Sequence, residues 1–249
     1  VNDDELFIGW APQSARSLKS SVGRGAVIVL AVLCLGALIA GSMRSPGEDL
    51  SRLLGGQSLV GLLEARPNAI LWVVDEHDPD LVHGVLLSSQ GRTAIGEAAL
   101  ALDGEIVRLE GNLLERAGRR GLEVGSAERA SLPEASERRL RERRSEALGT
   151  LTLRGEIVDS KCYLGRMRPG AGRPHRACAQ SCVGGGVPPL FLSHEGGAER
   201  HFVLESGDGG SVRLELLPFL TEPIALEGEV TRVEDLFVVR TAASRIQRL

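Results

Sequence analysis

The stretch GAVIVLAVLCLGALIAGSM, Gly25 to Met43, contains no charge and no proline and is bounded by Arg24 and Arg44. A helix needs about 20 apolar residues to cross the hydrocarbon core of a bilayer, so the run predicts one transmembrane helix over 25–43. A buried core helix of this length would show a polar face, and this one shows none. A cleaved signal peptide would have a shorter apolar stretch, roughly 7–15 residues, ending at a small-x-small site. LIAGS is a poor site of that kind, and Cys34 follows Leu33 rather than a small residue. Gly25, Ala26, Val27, Leu35, Gly36 and Gly41 are therefore expected to lie in a lipid bilayer as an anchor. Gly36 and Gly41 permit close approach of another helix but lack the G-x-x-x-G spacing.

Flanking cations set orientation. Arg16, Lys19 and Arg24 precede the run, while Arg44 and Arg52 follow it. The bias predicts a single-pass inner-membrane protein with residues 1–24 cytoplasmic. Everything beyond residue 44 is then periplasmic, where disulfides are permitted.

The remainder reads as mainly β. Residues 44–57, rich in Gly, Ser and charge, suggest a stalk. Short runs that alternate apolar and charged residues, among them GEIVRLEGNLL (104–114), SVRLELL (211–217) and IALEGEVTRVE (224–234), predict half-buried strands. Between them, 126–147 is charged and poor in β-branched residues, and reads as a linker or solvated helix dividing a first β-domain (58–125) from a second (148–249). ALDGEIVRLE at 101–110 returns as ALEGEVTRVE at 225–234, with LRGEIVD at 153–159 a shorter echo. Two small OB-like β-barrel or sandwich domains, related by duplication, are the expected fold. With net charge −4, 3% aromatic residues and no basic stripe, nucleic acid is not an expected partner.

Chemistry concentrates in one segment. Cys162, His175, Cys178 and Cys182 hold three of the four cysteines, the last three as H-x2-C-x3-C. If PHRACAQSC is a helix opened by Pro174, His175, Cys178 and Cys182 share a face, and a Gly- and Pro-containing loop can return Cys162 to it. Three readings stay open. The set could hold one zinc or an iron-containing centre as Cys3His. Two thiols could form a disulfide, contributing roughly 3 kcal/mol and leaving a spare thiol. Or Cys178 or Cys182 could be reactive, with His175 as base, though no orienting partner for that histidine is visible. No C-x-x-C pair, haem or Rieske spacing occurs, and the copper arrangement of two cysteines followed by His and Met is absent. Lys161, Arg166, Arg168, Arg173 and Arg176 surround the cluster and could meet an anion or an acidic partner. The acidic and His-containing stretch DEHDPDLVH (75–83) reads more as a solvated turn than a cation site. His194 and His201 flank a glycine turn, and no hydrolase, nucleotide or zincin motif is present.

ELFIGWAP (5–12) and GEIVDSKCYLGRMRPGAGRPHRACAQSCVGGGVPP (155–189) resemble poorly characterised bacterial single-pass inner-membrane proteins whose exported domain bears this Cys/His motif. The resemblance implies location and topology. Phe7 and Trp10 would then sit at the inner membrane face or dock into a neighbouring subunit. The expected role is an accessory, non-catalytic subunit of an inner-membrane complex, a respiratory or redox one first, bound to other membrane protein subunits. The alternatives are a metal-binding or electron-transfer protein and a thiol-dependent enzyme.

Overall fold

The computed structural model describes residues 16–42, 52–195, 199–211 and 213–249. Phe7, Trp10, Arg44 and the expected stalk up to residue 51 lie outside the described residues.

Helix α1 runs Arg16–Ser42. Its Ser20–Ile39 stretch is 20 residues long with mean hydropathy 2.4, and none of it is buried, Gly25, Ala26, Val27, Leu35 and Gly36 included. The helix is long and apolar enough to cross a membrane; a signal sequence near an N-terminus meets the same test. It begins nine residues before the apolar run because hydropathy marks where a helix can meet lipid, not where its backbone hydrogen bonds begin.

From Arg52 onward the described residues form one compact unit of two barrels. The first comprises β1 (Arg52–Glu64), β2 (Ile70–Val74), β3 (Val82–Ser89), the short helix α2 (Glu97–Leu100), β4 (Ile106–Arg116) and β5 (Arg119–Arg129). It closes in the order β1-β2-β3-β5-β4, antiparallel throughout except the parallel pair β3–β5. Helix α3 (Glu134–Arg141) leads to β6 (Ser145–Asp159), α4 (Arg176–Gly184), β7 (Pro189–Ser193), β8 (Arg200–Ser206), α5 (Arg213–Leu216), β9 (Ile224–Val233), β10 (Leu236–Thr241) and β11 (Ile246–Arg248). Here β6-β7-β8-β10-β9 repeat the same pairing, with β8–β10 the parallel pair and β11 added along β9.

The sequence echo falls on the fourth strand of each barrel: the copy at 101–110 leads into β4, and the copy at 225–234 runs along β9. A glycine also recurs. A Cβ on Gly61 in β1 would sit 2.2 Å from the Trp72 carbonyl oxygen, and one on Gly155 in β6 would sit 1.8 Å from that of Leu192. Both first strands thus press against their second strands where no side chain fits.

Each barrel has its own interior: Leu63, Leu71, Leu87, Val107, Leu109 and Leu122 fill the first, and Ile157, Phe191, Phe202, Leu226, Val230 and Val239 fill the second. A third core lies between them, built from Trp72 and Leu86 of the first barrel, Leu140 of α3, and Val158, Tyr163, Leu190, Val203 and Leu236 of the second. Burial of each large side chain there contributes roughly 1.5–3 kcal/mol. The stretches expected as separate domains, 58–125 and 148–249, therefore pack as one unit. Two local readings change with this. Arg52–Gln57, expected as stalk, begin β1, where a bulge between Leu53 and Gly56 absorbs the glycines. The charged segment 126–147 finishes β5, forms α3 and starts β6, and its Leu140 is fully buried.

Charged pairs cross the same joint. Arg119 donates to Asp235 Oδ2 at 3.1 Å and to its carbonyl at 2.8 Å. Arg139 grips both Glu234 oxygens at 2.8 Å, the bidentate geometry that fixes orientation as well as distance.

Candidate metal centre

Strand β6 ends at Asp159, which is fully buried. The connection from there to β7, residues 160–188, carries the whole Cys/His segment. A wide helical turn, Cys162–Arg166, comes first, and a tight turn, Arg173–His175, leads into α4. Gly170 lets the loop fold back on that first turn: a Cβ there would lie 2.6 Å from Tyr163 Cα and 2.7 Å from the Cys162 carbonyl oxygen. Gly172 takes φ +73°, open to glycine at no steric cost, and its N–H donates to Glu156 at 2.9 Å. Pro174 sits in the turn that precedes α4, where its missing N–H costs nothing. Cys178 and Cys182 then stand one helical turn apart on the same face.

The fold closes Cys162 onto that face. The three sulfurs lie within 4.8 Å of one another, with Cys162 and Cys178 Sγ 3.9 Å apart, against about 2.05 Å for a disulfide bond. Cys162 and Cys182 are buried and cluster with Val187, and half-buried Cys178 packs against that cluster. The proton is unevenly held among them. Hydrogen bonding to Cys182, then burial, pushes the Cys162 thiol far up. The same bond from Cys162 pulls Cys182 below the usual thiol range, with Lys161 assisting. Burial raises Cys178. The arrangement favours a thiolate on Cys182, the form that binds metals.

His175 is brought beside the cluster, where Asp159, Cys162 and His175 form a second buried group whose ligand atoms lie within 4.8 Å of one another. Its Nε2 donates to Asp159 Oδ2 at 2.7 Å, both groups buried, while Asp159 Oδ1 accepts the Cys162 backbone N–H at 2.8 Å. The carboxylate thus ties the histidine to the turn bearing Cys162. Asp159 is the residue that sequence reasoning missed, and its signal was available: it precedes Cys162 by three positions, the spacing at which an aspartate captures a backbone N–H.

Of the cations around the cluster Lys161 is buried, Arg176 is half-buried, and Arg166, Arg168 and Arg173 are exposed. Lys161, 4% exposed, donates to the carbonyls of Ser89, Gln90 and Gly91 and pairs with buried Glu123 at 2.7 Å. Arg166 reaches the same Glu123 oxygen at 3.3 Å. Arg176 pairs with Glu222, and Arg173 lies 3.9 Å from it. Arg168 is likewise engaged. Lys161 is thus committed within the fold, while the exposed arginines pair only in part with carboxylates of the chain.

In the 75–83 stretch Asp75 accepts the N–H groups of His77 and Asp78, closing a turn, and His83 bridges Asp75 and Asp235 at 3.2 and 3.4 Å. His201 joins Tyr163 and Glu199 in a buried network beneath the insert, and Arg116 stacks on the Tyr163 ring at 4.3 Å. A cleft of about 650 Å³ lined by Arg154, Glu156, Arg173, His194 and Leu249 contains none of the three cysteines.

No protein-family model and no curated protein matches this chain. Among solved structures it is similar to the single-stranded DNA binding protein from Thermus aquaticus, at 16% identity and TM-score 0.21, covering 80% of this chain and 94% of that one. A deletion mutant of the same protein gives 17% and 0.22, covering 80% and 95%. The tetrameric p202 HIN2 gives 11% and 0.22, covering 81% and 96%. Likeness at these values carries no argument about what this chain binds. It does correct one expectation: with single-stranded DNA binding proteins among the similar structures, the exclusion of nucleic acid is withdrawn. Net charge and aromatic content average over the whole surface and exclude no local one.

Proposed function

We propose that this chain is a membrane-anchored metal-binding protein that holds a thiophilic ion on Cys162, Cys178 and Cys182. One observation carries the reading: three sulfurs from two separate segments meet within 4.8 Å at a largely buried spot. A disulfide-pinned loop needs two of them and has no use for the third. A thiol nucleophile is less well served: Asp159 orients His175 as it would a general base, but among the described residues the sulfurs hydrogen-bond to one another rather than to that histidine. The role we assign is accessory rather than catalytic. In this reading both barrels are OB-like, supported by the parallel third–fifth strand pair and the helix between third and fourth strands. Helix α1 is the anchor, with Arg16, Lys19 and Arg24 keeping the N-terminal side cytoplasmic and the barrels periplasmic.

The test is metal content and free-thiol count on the full chain, purified in detergent after expression in an exporting host. About one equivalent of metal, absent from Cys178→Ser, is the expected result. No metal together with a single free thiol would replace the metal site with a disulfide-pinned loop.

A further inference from the structure

We infer that the first barrel is the clamp of the metal site: its turn at residues 89–94 grips both arms of the cysteine insert and holds their sulfurs together. The inference rests on the metal-binding reading above. Cys162 stands near the start of the insert, whereas Cys178 and Cys182 stand on α4 toward its end. The turn that follows β3 touches both. At the first arm Lys161, adjacent to Cys162, donates to the carbonyls of Ser89, Gln90 and Gly91 at 2.7, 3.0 and 2.5 Å. Its ammonium also pairs with Glu123 of β5 at 2.7 Å. At the second arm the Gly185 carbonyl, three residues beyond Cys182, accepts the Ala94 N–H at 2.9 Å. Contact there is so close that a Cβ on Gly185 would lie 1.9 Å from the Arg92 carbonyl oxygen. The turn is itself braced: Ser89 N–H donates to the Thr93 carbonyl at 3.1 Å, and the hydroxyls of the same two residues lie 2.6 Å apart.

A braced turn bound to both arms fixes the distance between them. Lifting the first arm would leave Glu123, fully buried, without its ammonium, and an uncompensated buried charge is strongly destabilising. Ligands held in place before an ion arrives bind it more tightly, and the loss of an outer partner that positions a ligand typically weakens metal affinity 10–100-fold. Lys161 and the turn are thus positioning groups, not ligands. The first barrel carries no cysteine of its own, and this contact gives it a part in the chemistry of the second. The coupling is reciprocal: a turn that favours the metal-bound arrangement of the arms is itself favoured when the ion is bound.

The deciding experiment uses the full chain, reduced, in detergent micelles, with Cd(II) as the probe because its bonds to thiolate sulfur absorb in the ultraviolet. Lys161→Met and Gly185→Ala should each weaken Cd(II) binding about 10–100-fold while the absorbance per bound ion stays that of wild type. Cys178→Ser, which removes a ligand, should lower that absorbance. Gly61→Ala strains the first barrel in β1 rather than at the turn, and as the control for destabilisation alone it should leave Cd(II) affinity unchanged. One readout needs no variant to fold: in the wild-type chain the backbone amides of residues 89–94 should exchange hydrogen more slowly once Cd(II) is bound. Three results would each overturn the clamp and leave the metal-binding reading standing. They are wild-type affinity in either folded variant, an equal loss in Gly61→Ala, and exchange at 89–94 that does not respond to the ion. A wild-type chain that takes up no Cd(II) would overturn the metal-binding reading, and the clamp with it.

Discussion

The two barrels have the same strand wiring and differ most at one connection. In the first, residues 65–69 join the first and second strands; in the second, the same step takes residues 160–188 and carries every cysteine beyond helix α1. A rigid repeated scaffold with chemistry placed in a single loop is a common division of labour. The inserted loop does not rest on its own barrel alone. Lys161 and Arg166 both reach Glu123 of the first barrel, and Tyr163 enters the core between the two. One barrel supplies the loop, and the other helps to hold it in place.

If the halves are coupled in this way, the joint should govern the stability of both. Trp72 is 2% exposed, donates its indole N–H to Glu64 at 2.8 Å, and has Arg143 stacked 4.8 Å from its ring. Trp72→Ala should cost about 3–5 kcal/mol. In denaturant titrations of the full chain in detergent the β unit should still unfold in one transition, shifted to lower midpoint. Two separated transitions, with only the first-barrel one moved, would break the case for a shared core.

A smaller effect should distinguish the insert from the rest of the molecule by pH. Burial would raise Glu199, but hydrogen bonds from His201 and Tyr163 overcome it and bring the carboxyl down to about 2 from the ordinary 4.5. A folded-state value below the unfolded one stabilises fully above about pH 4.5 and is lost as pH falls toward 2. At 1.36 kcal/mol per unit the contribution is at most about 3 kcal/mol. Glu199→Gln should therefore flatten the loss of stability between pH 5 and pH 3 relative to wild type, with little difference between the two slopes above pH 5. An unchanged acid limb would mean that the insert is not seated by this carboxylate.

How much of this was legible in the sequence depends on which faces of an element are buried. Strand β9 reads correctly because its buried and exposed residues alternate, as a half-buried strand must. Strand β7 is buried at every position and gives no alternation, so nothing in PLFLS tells that one face meets a neighbouring barrel. Leu140 was hidden for the opposite reason, as a lone apolar residue in a helix of Arg and Glu whose charged neighbours suggested a solvated linker. At the site, the gathering of the three cysteines followed from spacing and glycine placement. The position of His175 did not, because its partner Asp159 lies across a strand end, 16 residues away, where helical geometry has no say.

The finest test of the likeness between barrels lies in the paired glycines. Gly61 and Gly155 occupy corresponding places in β1 and β6, and each faces a carbonyl of the second strand too closely for a methyl group. If the barrels are copies of one design, Gly61→Ala and Gly155→Ala should destabilise by similar amounts, about 1–3 kcal/mol each, since both force backbone apart in packed surroundings. Gly96→Ala, where nothing lies within 4 Å, is the control and should change stability by less than about 0.5 kcal/mol. Gly155 lies four residues before Asp159, so its substitution should also disturb the cysteine cluster, seen as a changed rate of Cys178 alkylation. Gly61→Ala should leave that rate unaltered. Equal stability losses with unequal thiol reactivity would locate the asymmetry of the molecule in the insert; equal effects on both would show that the cysteine site depends on the joint as a whole.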